Sequence, residues 1–174
     1  MGVQYSKADI GKTFSIGAVS VDWINDVVLS NFRDHIDDGD TYSKYDTVIL
    51  SAVQWLVHQP QHEYEQHITL LLAKIAKMKR KPHFIWFTSP AWPHRSDDTV
   101  KKENDTRTNA RLTQMNEFAS KSFRDAGFAT VENLEASIMF SHGHESRDNA
   151  HWFVTPVMEQ MHQMVIHRLD LCRV

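Results

Sequence analysis

Apolar residues recur along this chain at two spacings. Short runs of β-branched and aromatic residues alternate with longer stretches in which apolar residues return every three or four positions. The first pattern is that of buried strands, the second that of a helix face. Residues 14–21, Phe-Ser-Ile-Gly-Ala-Val-Ser-Val, form a β-rich run. Asp22 then stands where it can cap a helix carrying Trp23, Ile24, Val27, Val28, Phe32 and Ile36. Asp37-Asp38-Gly39-Asp40 breaks that helix. Residues 47–50, Thr-Val-Ile-Leu, are continuously apolar after the threonine, as a strand buried on both faces should be. The spacing predicts a helix over residues 62–79, with Ile68, Leu71, Leu72, Ile75 and Met78 on one stripe and Pro82 beyond its end.

The pattern then repeats. Residues 84–87, Phe-Ile-Trp-Phe, read as a buried strand, and a polar stretch over 89–105 follows with Pro90 and Pro93. The next helix carries Leu112, Met115, Phe118, Ala119 and Phe123, and Gly127 sits where a glycine closes a helix. Residues 128–131 are a short strand. A loop holding Gly143 leads to a final helix over 155–169, lined by Val157, Met158, Met161, Val165 and Leu169. Strands alternating with helices imply right-handed βαβ units. The expected fold is therefore α/β, a three-layer α/β/α arrangement around a mostly parallel sheet. Ligands of such sheets bind beyond the carboxyl ends of the strands. Those ends are the stretches beginning at Ser51, Thr88 and Glu132, and the loop over 142–151 joins the same rim.

Composition narrows the function without naming it. The 174 residues suit one domain spanning 1–174. A net charge of −3 with neutral histidines supplies no field that would gather nucleic acid. No apolar run is long enough for a transmembrane segment. The single cysteine, Cys172, excludes an internal disulfide and a cysteine-rich zinc site. Gly2 and Ser6 match an N-myristoylation pattern loosely. Asn104-Asp105-Thr106 is a sequon, meaningful only in a secreted chain. The basic run over 77–81 lies at a helix end, where cations suit the dipole.

The constellation best placed for chemistry is Asp148 and His151. A serine is a weak nucleophile until a base takes its proton, and a carboxylate can hold the tautomer of that base. The pair stands on one loop, three positions apart, before the terminal helix and next to Trp152. Residues 146–152, Ser-Arg-Asp-Asn-Ala-His-Trp, resemble the last block of the SGNH/GDSL-type hydrolases, in particular the PC-esterase and trichome-birefringence-like branch. Residues 45–55, Tyr-Asp-Thr-Val-Ile-Leu-Ser-Ala-Val-Gln-Trp, are similar to its second block. Residues 85–90, Ile-Trp-Phe-Thr-Ser-Pro, are similar to its third strand and exit. Thr108-Asn109-Ala110-Arg111 through Asn116, with Ala126-Gly127-Phe128, matches the helix and strand before the last block. The resemblance covers residues 19 to 169.

That resemblance implies an SGNH-hydrolase-like domain with flavodoxin-like winding. It implies acyl-ester hydrolysis or O-acetyl transfer, on a small-molecule or carbohydrate ester, with no cofactor and no metal. His151 would be the general base and Asp148 its orienter. The Gly-Asp-Ser block that brings the family its nucleophile is absent from this sequence. The segment 21–29 resembles a stretch downstream of it. The expectation is a domain lacking the first strand and helix, with a gap between neighbours in the sheet. A partner chain or a second copy in a homo-oligomer would complete it. In a rival placement residues 14–19 are themselves the first strand, with Ser20 at the strand-to-helix junction as the nucleophile.

Ala52 stands where the family often has the glycine of its oxyanion hole, and Ser89 is the nearest polar residue to the usual third-block asparagine. Trp55, Trp92 and Trp152 fall just past strand ends, where they line a site or join the core, and Trp86 reads as core. Two other functions compete. One is a catalytically inactive domain of this shape that binds a ligand or partner. The other is a metal-dependent hydrolase built on Ser141-His142-Gly143-His144-Glu145 with His151, since converging histidines with an open position can activate water on zinc. The remaining histidines are scattered.

Overall fold

The computed structural model describes residues 10–16, 19–24, 29, 33, 36, 42–92, 108–138 and 156–171. For 10–24, 55, 156–158, 161, 162, 170 and 171 only the backbone is described.

The parallel sheet is built from the most apolar short runs of the sequence. Strands β3 (Thr47–Leu50), β4 (His83–Phe87) and β5 (Ala129–Val131) lie side by side in chain order. Val48 pairs with Phe84 and Leu50 with Trp86, and Ile85 with Ala129 and Phe87 with Val131. Because side chains alternate along a strand, that register sorts them into two faces. Leu50, Phe84 and Trp86 join one core cluster; Ile85, Ala129 and Val131 form another on the opposite face. The central strand β4 is thus buried on both sides, and its three middle residues are inaccessible to solvent.

Helices cover both faces. Between β3 and β4 run a single turn, α1 (Val53–Leu56), and the long helix α2 (Gln61–Lys77). Tyr64, Ile68, Leu71 and Ile75 form the buried stripe of α2 at helical spacing. Between β4 and β5 runs α3 (Asn109–Asp125), which buries Leu112, Met115, Ala119 and Phe123. The Phe123 ring stacks on Trp86 at 4.6 Å. Crossovers of one hand that advance in one direction place their helices on one face, as α2 and α3 are. The short helix α4 (Leu134–Ile138) follows β5. The last helix, α5 (Pro156–Leu171), lays Met164, Val165 and Leu169 against the other face. The α/β fold with helices on both faces of a parallel sheet is as the periodicity predicts.

The end of α3 shows how closely sequence dictates geometry. Gly127 has φ +82, a left-handed conformation that glycine adopts without a Cβ penalty. The Gly127 N–H donates to the Arg124 carbonyl at 2.9 Å and the Phe128 N–H to the Phe123 carbonyl at 2.9 Å. Phe128 packs back on Phe123 with ring centroids 6.1 Å apart. This Schellman closure aims the chain straight into β5.

The N-terminal segment differs from the strand and capped helix its sequence predicts. The run over 14–21 is not one strand followed by a helix capped by Asp22. It is a hairpin, β1 (Ile10–Ile16) and β2 (Val19–Ile24), antiparallel and separate from the parallel sheet. Asp22, Trp23 and Ile24 are strand residues, and Ser20 lies within β2 opposite Ser15. The residues between them alternate apolar and polar, and that period of two outweighs the capping signal of one aspartate. Helical backbone does occur further on, where the Arg33 N–H donates to the Leu29 carbonyl at 2.9 Å. In the parallel sheet β3 bonds directly to β4. Among the described strands, none pairs with the outer edge of β3, and Ile49 beside it is 44% exposed.

Two polar side chains interrupt the buried stripe of α2. His67 accepts on Nδ1 from the Arg33 guanidinium at 3.3 Å, and because that group only donates, the ring proton sits on Nε2. The Tyr64 hydroxyl is buried with no hydrogen-bond partner. Its burial holds the phenol well above its ordinary pKa near 10. The basic cluster predicted as a solvated helix end is so: Lys77, Lys79, Arg80 and Lys81 are exposed.

Adjacent leucines of α2 test this packing. Leu71 is inaccessible and Leu70 is 55% exposed. Leu71→Ala should cost about 2–5 kcal/mol in denaturant unfolding, and Leu70→Ala no more than about 0.5 kcal/mol.

Tyr64→Phe removes a buried hydroxyl that has no partner. It should stabilise the fold by about 1 kcal/mol at neutral pH. Above pH ~10 the unfolded chain loses the phenolic proton while the folded chain keeps it, so this residue's contribution falls as pH rises. The same substitution should therefore flatten the alkaline limb of a stability-against-pH curve.

Candidate functional site: the carboxyl rim of the parallel sheet

The three strands end on one rim, and the segment leaving β4 is its centre. Residues 88, 89, 91 and 92 are all buried. A buried backbone must find internal partners for its N–H groups, and here each is accounted for. The Thr88 N–H donates to the Val131 carbonyl at 3.0 Å. The Ser89 N–H donates to Asn116 Oδ1 at 3.1 Å, and the Asn116 Nδ2 returns a bond to the Ser89 carbonyl at 2.9 Å. Pro90 has no N–H to satisfy. The Ala91 N–H donates to Ser137 Oγ at 2.7 Å. The Trp92 N–H donates to Asn109 Oδ1 at 2.7 Å, and Asn109 Nδ2 donates to the Trp92 carbonyl at 3.2 Å.

Asn109 and Asn116 are two helical turns apart on α3 and so share a face. Each clasps one residue of the β4 exit through both ends of its amide. On the other side, Asn133 at the β5 exit holds Thr88 by donating twice: its backbone N–H to Thr88 Oγ1 at 2.7 Å and its Nδ2 to the Thr88 carbonyl at 3.0 Å. Thr88 Oγ1 passes its own proton to the Val131 carbonyl at 3.2 Å. The Asn133 Oδ1 is buried and has no partner.

A bond from the Gln54 N–H to Ser89 Oγ at 3.0 Å ties the β3 exit to this clasp. Ala52 and Ser89, both candidates for an oxyanion site, therefore stand on neighbouring strand exits joined through Gln54. Their states differ. Ser89 is buried and its N–H is already committed to Asn116, so it is held as a structural turn. Ala52 is 2% exposed, its carbonyl accepts from the Leu56 N–H, and its own N–H makes no hydrogen bond to the described residues. Ser51, just before it, is exposed, and its hydroxyl has no partner among them.

Trp86 is core, as expected, and Trp92 is buried against the same cluster. Trp55 lies in α1, where only its backbone is described. Asp148, His151 and Trp152, and the histidine loop with His142 and His144, lie outside the described residues. Among the described residues no three His, Cys, Asp or Glu side chains gather to hold a metal ion. No described helix is long and apolar enough to cross a membrane. Asn133 and Ser137 carry no signal of their role in the sequence. Asn109 and Asn116, seven apart beside an apolar stripe, do show in the sequence as a shared helix face.

No family model and no curated protein matches the chain. One solved structure is similar, the crystal structure of LAE5, an α/β hydrolase enzyme from the metagenome of Lake Arreo, Spain. The likeness covers 79% of this chain at 16% identity with a TM-score of 0.48. The chain spans 64% of that structure's length.

The clasp predicts its own test. Asn116→Ala leaves the Ser89 N–H and carbonyl buried and unpaired. It should cost about 2–4 kcal/mol in denaturant unfolding, whereas the exposed Gln114→Ala on the same helix should cost no more than about 0.5 kcal/mol.

Proposed function

We propose that the chain is an SGNH-type acyl-ester hydrolase or O-acetyltransferase domain acting on a small-molecule or carbohydrate ester. In this reading His151 is the general base, Asp148 holds its tautomer, and Trp152 lies beside them. The observation that supports it most is the uncommitted N–H of Ala52 at a strand exit. Buried backbone N–H groups are rarely left without a partner, and acyl transfer needs a fixed donor for a developing oxyanion. The clasp around Ser89 supplies the rigidity such a donor requires.

A second reading, a non-catalytic domain of the same shape, draws on Ser20. That residue pairs with Ser15 inside a hairpin strand and does not stand at the strand-to-helix junction that would expose a nucleophile. If Ser20 were the only serine available, binding without turnover would be the better account.

Hydrolysis of p-nitrophenyl acetate separates the readings. The wild-type chain should turn it over, His151→Ala should lower kcat/KM by roughly 10³-fold or more, and Asp148→Asn should cost a comparable factor. Turnover unaffected by His151→Ala would contradict the assignment of the base. No turnover by the wild-type chain would favour the binding domain.

A further inference from the structure

We infer that Ser51 is the nucleophile of this acyl transfer, with the N–H of Ala52 as the donor for its oxyanion. The inference rests on the acyl-ester reading above and supplies the group that reading lacks. Four observations on described residues carry it.

Ser51 is the first residue beyond β3, on the carboxyl rim where parallel sheets bind ligands. The chain then passes through Ala52 into α1, giving strand, turn and helix in immediate succession. Ser51 is exposed at that turn, and the N–H of the residue after a nucleophile is one that can receive the oxyanion. Ser51 is exposed and its hydroxyl is unengaged among the described residues. Ala52, which follows it, carries the uncommitted N–H in a residue that is almost wholly buried.

The other described rim hydroxyls are occupied. Ser89 Oγ accepts from Gln54, Thr88 Oγ1 both accepts and donates, and Ser137 Oγ donates to the Asn133 and Leu134 carbonyls while accepting from Ala91. Ser120 on α3 is buried and donates to Glu132. Ser15 and Ser20 face each other in the hairpin register.

The step balances with ester and water alone. Ser51 Oγ forms a bond to the acyl carbon as its proton passes to the general base. The carbonyl electron pair moves onto oxygen beside the Ala52 N–H. Its return breaks the bond to the alcohol, which leaves with the proton from the base. Water, or the hydroxyl of an acceptor sugar, then attacks the acyl-Ser51 ester in the same way, restoring the serine and releasing an acid or a new ester.

The test is covalent. A fluorophosphonate probe is reacted with the full chain, which is then digested with trypsin and sequenced by mass spectrometry. The tryptic peptide over residues 45–74 contains a single serine, Ser51. The label is expected on that residue. Ser51→Ala should abolish it and lower p-nitrophenyl acetate turnover by roughly 10³-fold or more. Neither Ser51 nor Ala52 adopts a positive φ, so alanine at 51 fits the same backbone, and the melting temperature should move by no more than about 2 °C. Label on another serine, Ser20 included, would overturn the assignment of Ser51 and leave the esterase reading standing. No label and no turnover by the wild-type chain would overturn both.

Discussion

The backbone that leaves β4 runs through protein where water cannot reach it, and its amides must be paired from within. That constraint organises the rim. Three asparagines and a serine meet it, and they come from both sides: Asn109 and Asn116 from α3, Asn133 and Ser137 from the β5 exit and α4. An asparagine amide both accepts and donates, so one side chain can satisfy the N–H and the carbonyl of a single residue. Each of these bonds adds only about 1 kcal/mol net, but leaving one unmade costs more. The arrangement is therefore strongly determined, and neighbouring groups inherit its rigidity.

The β3 exit is one such neighbour. Gln54 is bound to Ser89, so the turn containing Ser51 and Ala52 is anchored to the clasp. This divides the hydroxyls and N–H groups of the described rim residues into two sets. Those at the β4 and β5 exits are spent on structure. Those at Ser51 and Ala52 are not. A rim that uses most of its polar groups to fix its shape and leaves two adjacent ones uncommitted has the division of labour that a reactive site needs.

Much of the fold was legible because its signals are local. The β-branched and aromatic runs at 47–50 and 84–87, the stripe of Ile68, Leu71 and Ile75, and Gly127 after Phe123 each declare their element within a few residues. The hairpin's signal is also local. Val19, Val21 and Trp23 alternate with Ser20 and Asp22, and two residues separate this run from the alternation ending at Ile16. Asp22 invited a helix cap, and tertiary context overrode it. The candidate site was legible only in part. Ala52 and Ser89 could be named from their positions after strands. That Ser89 is consumed and Ala52 is not depends on Asn116 and Gln54, which are distant in sequence and meet only in the folded rim. Single-turn α1 and short α4 carry too few residues to show a period.

Native-state hydrogen exchange measures the central constraint directly. The amides of Ser89, Trp92 and Asn133 lie outside every strand and helix, so loop position alone would let them exchange early. If side-chain clasps hold them, their protection should approach that of Ile85 and Trp86 in β4. Exchange at the rate of an open loop, with β4 still protected, would contradict the account.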